Sequence, residues 1–97
     1  MIVSIRVKKE HIDSGEMMSC NTCPVALAIT SVLGSHCTCA VNAIDVYIVD
    51  GKSWDSVFVK LPKSACNFID KFDDFGKTSV KPFSFKLDIP EQYLAKQ

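Results

Sequence analysis

Ninety-seven residues with 47% hydrophobic side chains can fold as one small domain, and they exclude a disordered chain, which would bury too little apolar surface to offset its ordering entropy. Eleven basic and eleven acidic residues cancel, so no global field steers the protein onto duplex nucleic acid or an anionic membrane. Five cysteines are an odd number, and the opening Met1-Ile2-Val3-Ser4-Ile5-Arg6 has neither a basic n-region nor a long apolar run. A reducing, cytoplasmic address is therefore expected, with no disulfide scaffold and no membrane span.

Val3, Ile5 and Val7 alternate with Ser4, Arg6 and Lys8, as a strand with one wet face does. Lys9 to Gly15 breaks that pattern, and Ser14-Gly15 marks a turn. Cys20-Asn21-Thr22-Cys23-Pro24 then leads into a helix over roughly Pro24 to Leu33. Pro24 suits the first helical position because it has no N–H to lose, and it moves Cys23 into the extended conformation of an N-cap. Val25, Ile29, Val32 and Leu33 share a face, and Gly34 stops the helix.

A long strand is predicted from Cys39 to Val49, with Ile44, Val46 and Ile48 on one face. Asp50-Gly51 turns it into a return strand over Trp54 to Leu61, with Val57, Val59 and Leu61 inward; a two- or four-residue turn leaves the same residues on the same face. Pro62-Lys63 opens a second helix, in which Ala65, Phe68, Ile69 and Phe72 recur at helical spacing as far as Phe75-Gly76. Phe83, Phe85, Leu87 and Ile89 alternate through the last strand, and Pro90 starts a short helical tail. The order β-α-β-β-α-β predicts an α+β class and a single domain over residues 1–97. Its form would be a ferredoxin-like split βαβ, an antiparallel sheet with both helices on one face.

Three constellations bear on function. Cys20 and Cys23, with His36, Cys37 and Cys39 beyond the helix, offer the N and S donors of tetrahedral zinc. This alternative is a zinc-stabilised nucleic-acid- or protein-binding module. The second pair is Cys-x-Cys, however, and a ten-residue helix spans about 15 Å, so the favoured expectation has no cofactor and buried, apolar cysteines. The same Cys-x2-Cys beside a helix N-terminus also reads as a thiol-disulfide oxidoreductase. Against that, a hairpin follows where a thioredoxin-like fold needs a parallel crossover, and Pro24 leaves both cysteines ahead of the helix.

The third constellation is the uncovered sheet face, where Tyr47 shares a side with Trp54, Phe58 and Lys60, and Arg6 stands on the same side of the first strand. Aromatics interleaved with cations suit stacking or partner binding, so Arg6, Tyr47, Trp54, Phe58 and Lys60 are the candidate binding residues. His11 and His36 are lone histidines, and Asp70, Asp73 and Asp74 read as solvated charge on the second helix. No phosphate loop, Ser-His-Asp set or paired carboxylates appear, so no enzyme activity is expected.

One stretch combines Val7-Lys8-Lys9-Glu10-His11-Ile12-Asp13-Ser14-Gly15 with Cys20-x2-Cys23-Pro24-Val25-Ala26-Leu27-Ala28-Ile29. A second combines Phe68-Ile69-Asp70-Lys71-Phe72-Asp73 with Pro82-Phe83-Ser84-Phe85-Lys86-Leu87. Together they resemble a group of small uncharacterised phage and prophage proteins, whose pattern does not include Cys37 and Cys39. The resemblance implies a phage-encoded accessory protein that blocks a host or defence protein or sequesters its nucleotide signal. With the open sheet face, it leads to the expectation of a non-enzymatic, self-associating binding protein in the host cytoplasm.

Overall fold

The computed structural model describes residues 1–95, as five strands and three helices. They are β1 (Ile2–Val7), α1 (Lys9–Ser14), α2 (Pro24–Thr30), β2 (Cys37–Val41), β3 (Asp45–Asp50), β4 (Ser56–Lys60), α3 (Lys63–Phe75) and β5 (Phe83–Asp88). Single 3-10 turns at Lys77–Ser79 and Glu91–Tyr93 flank β5. The expected α+β class is what the chain adopts.

The sheet arrangement differs from the predicted split βαβ. The first and last strands pair antiparallel, with Ile5 opposite Phe85 and Val3 opposite Leu87, but they form a two-stranded sheet of their own. The other sheet is the meander β2-β3-β4. The predicted long strand breaks at Asn42. Its side-chain oxygen accepts from the backbone N–H groups of Ile44 and Asp45, both at 2.8 Å, and its own N–H donates to the Asp45 carbonyl. This local side-chain turn replaces strand continuation with a hairpin. Ile44, predicted inward, is consequently at the turn and 65% exposed.

The turn after Asp50 spans residues 51–54, closed by Asp50 N–H donating to the Asp55 carbonyl at 2.9 Å. The faces fall as predicted: Val46 and Val59 are buried on one side, while Tyr47 and Phe58 sit opposite one another on the other. The Lys9–Gly15 segment, read as a break, is the short helix α1. The His11 ring accepts at Nδ1 from Lys8 N–H at 3.0 Å, and Ile12 is buried beneath it.

Helix α2 begins as the sequence indicates. Pro24 occupies the first turn, Cys23 is the extended N-cap, and the cap thiol accepts from Ala26 N–H. The helix ends at Thr30, short of Leu33, which instead bridges to Leu94. Val25, Ala26, Ala28 and Ile29 bury α2 against β1 and β2, so this helix joins the two sheets. Helix α3 stacks Phe68 on Phe83, with ring centroids 4.7 Å apart, and ends at Gly76 with a φ of +86°. Glycine adopts that conformation without the Cβ penalty. Among the described residues, no helix is long and apolar enough to cross a membrane.

Candidate functional site

The β2-β3-β4 meander has one buried face and one free face. Ala40, Tyr47 and Phe58 form a cross-strand row on the free side, flanked by the Asp45 and Lys60 pair. The rings of Tyr47 and Phe58 lie 4.6 Å apart, tilted by 35°, and Phe58 is 64% exposed. The preceding loop bonds to the edge of the meander and to α3: Cys20 O accepts from Val41 N–H at the end of β2, and Met18 N–H donates to Asp73. Asp73 therefore ties the loop down, where sequence reasoning had only solvated charge. On the tail, Ala95 N–H donates to Val32.

Two of the five candidates are placed differently from expectation. Trp54 is in the β3–β4 turn, not on the strand, because β4 starts only at Ser56; it is 81% exposed with a φ of +65°. Arg6 belongs to β1, in the other sheet, so it does not share a sheet face with Tyr47, Phe58 and Lys60. The candidates that stay together are Tyr47, Phe58 and Lys60, with Trp54 in the turn that leads into β4.

The four thiols of the zinc reading do not converge. The Cys20 thiol is exposed and donates to Asn21. Cys23 and Cys39 are buried beside α2, where the Cys39 thiol bonds to Ala26 O and Thr30 Oγ1. Burial pushes both of these thiols up, most simply because a thiolate there would lose its hydration. A Cys-x2-Cys redox pair needs the opposite shift. Cys66, on α3, is half-buried near Leu61 O.

Cys37 instead meets a histidine and a carboxylate. Among the described residues, one set of three metal-ligating side chains comes together: the donor atoms of His36, Cys37 and Asp50 lie within 4.8 Å of one another. Cys37 and Asp50 are cross-strand partners on the buried side of the meander, at the end away from the Asn42 turn. Asp50 is only 8% exposed; its Oδ1 accepts from Lys52 N–H at 2.8 Å and Ser53 N–H at 3.3 Å. Its Oδ2 faces His36 Nε2 at 3.4 Å. The Lys52 N–H bond above all, then Ser53 and the nearby imidazole, hold the Asp50 carboxyl below the usual carboxylate range. Burial, and then the same carboxylate, push the Cys37 thiol up. A nucleophilic cysteine requires the reverse.

Sequence reasoning named Cys37 and His36 but not Asp50, which read only as a turn residue. The available signal was the hairpin itself, since pairing the strand that begins at Cys37 with one that ends at Asp50 makes the two neighbours. A surface cleft of about 1070 Å³ between Val3, Val32 and Leu94 is lined by no histidine or cysteine among the described residues. No protein-family model matches the chain, and no curated protein or solved structure is similar to it.

Proposed function

We propose that this protein acts by binding a protein partner, without catalysis, through the free face of the meander and the adjoining turn. The observation that carries this reading is Trp54. A tryptophan 81% exposed in left-handed backbone conformation costs the fold about 1–2 kcal/mol and returns little burial. Phe58, on the β4 strand that follows the turn and 64% exposed, adds apolar surface on the free face, and tryptophan is among the residues that concentrate binding energy at interfaces. Of the five candidates, Lys60 is the one cation on this sheet, and Asp45 stands opposite it. Such a face suits a protein surface better than the phosphates of a nucleotide. The phage-encoded setting and a host or defence protein as partner follow from the resemblance and belong to the same proposal. Self-association is the homotypic form of this contact.

The test is capture from a bacterial lysate by the wild-type chain and by a Trp54→Ala/Phe58→Ala double variant, together with the native mass of each. The expected result is a protein, or a second copy, held by the wild type and lost by a double variant that melts at the same temperature. Equal retention by both chains would overturn the reading. So would loss of the fold in the double variant, since the two aromatics would then be packing groups.

A further inference from the structure

We infer that His36 Nε2, Cys37 Sγ and Asp50 Oδ2 form a binding site for one borderline-soft divalent metal ion of the zinc class, with solvent in the fourth position. The spacing is the first argument. Nε2 and Oδ2 stand 3.4 Å apart, longer than a good N–H···O bond. Two ligands of a tetrahedral ion with bonds of about 2.0–2.1 Å would be separated by about 3.3–3.4 Å.

The thiol is the second argument. The Cys20, Cys23, Cys39 and Cys66 thiols each have a hydrogen-bond partner, whereas buried Cys37 makes none among the described residues. Its sulfur lies within 4.8 Å of the imidazole and carboxylate donor atoms.

Pre-organisation is the third. The turn N–H groups of Lys52 and Ser53 occupy Oδ1 of Asp50 and leave Oδ2 toward the histidine. Gly51 N–H donates to the His36 carbonyl at 2.8 Å, locking the start of β2 to the turn. A Cβ on Gly34 would come within 3.0 Å of His36 Cε1, so glycine there leaves the ring its space. One thiolate, one imidazole and one carboxylate select zinc or cobalt over magnesium or calcium, which favour all-oxygen sets. On binding, the metal–sulfur bond replaces the S–H bond of Cys37, and the proton passes to solvent.

The site also bears on Trp54. Trp54 N–H donates to the Asp50 carbonyl at 2.9 Å, so an ion on the Asp50 side chain braces the turn that carries the tryptophan.

The test is titration of the full chain, reduced and stripped with a chelator, with cobalt(II) alone and separately with zinc(II). Expected are one cobalt per chain, a sulfur-to-cobalt charge-transfer band with tetrahedral visible bands, and release of one proton. Zinc should displace the cobalt and change the fluorescence of the single tryptophan. Cys37→Ser should abolish the charge-transfer band. His36→Gln, at a half-buried side chain that is safer to alter, should weaken cobalt binding by more than about tenfold. Cys20→Ser should change neither. No stoichiometric binding by the folded wild type would overturn the site. So would a band that survives Cys37→Ser, or one that is lost in Cys20→Ser.

Discussion

A Cβ added to Gly15 would lie 2.6 Å from Cδ and Cγ of Pro24, so the end of α1 rests directly on the first residue of α2. The same Cβ would meet the His11 carbonyl oxygen at 2.8 Å, and Gly15 N–H already donates to that oxygen. His11, Gly15 and Pro24 are thus neighbours whose shared work is to dock two short helices. Gly15 has a φ of −71°, which any residue adopts, so its role is steric. Gly15→Ala should cost about 1–3 kcal/mol in urea unfolding. Adding Pro24→Ala should return part of that loss, because the two sites share one contact. Additive costs would show that the contact is not the cause.

Trp54 and Phe58 should matter little to stability. Trp54→Gly removes the left-handed strain and is expected to leave the melting temperature unchanged or raise it. Phe58→Ala loses a cross-strand aromatic contact worth about 0.2–1 kcal/mol. Ile48→Ala, on the buried face of the same sheet, should cost about 2–5 kcal/mol. Losses of similar size for Phe58 and Ile48 would mean that the free face is covered.

Phe85 is 6% exposed, stacks against Phe83 at 5.5 Å and faces Ile5 across the β1–β5 ladder. Phe85→Asp would put an unpaired charge among these groups and should cost several kcal/mol, enough to unfold most of the chain. Circular dichroism at room temperature reads this directly. A variant with an unchanged thermal transition would refute the packing of this ladder.

Alkaline pH should destabilise the fold through Cys23 and Cys39. Both thiols are pushed up by burial, so the folded chain keeps protons that the unfolded chain releases above about pH 8.5. The unfolded state then binds fewer protons, and stability that is fully present at neutral pH falls as pH rises. The urea midpoint should drop between about pH 8 and pH 10, and the drop should shrink in Cys23→Ala/Cys39→Ala. In the same pH range, Cys20 should react with a thiol reagent before the buried cysteines do. A midpoint that does not move would mean that the interior accommodates thiolates.

Local chemistry in the sequence was enough to determine β1, α3, β5 and the start of α2, and which way they face. Pro24 and Cys23 start α2, Gly76 closes α3, and the alternation of Val3, Ile5 and Val7 with that of Phe83, Phe85 and Leu87 marks two strands with one buried side. These signals are local because caps, fixed φ angles and side-chain periodicity act within a few residues. The pairing of edges was not determined in that way. Burial of apolar surface is non-directional, so it says which face turns inward but not which strand lies alongside. The pairing of β1 with β5 apart from the meander removed Arg6 from the aromatic face, while the turn at Asn42 divided one predicted strand into two and exposed Ile44. It also set Cys37 opposite Asp50, with His36 beside them. A cluster built by cross-strand register has no signature in linear spacing, because its members meet only once the hairpin between them has closed.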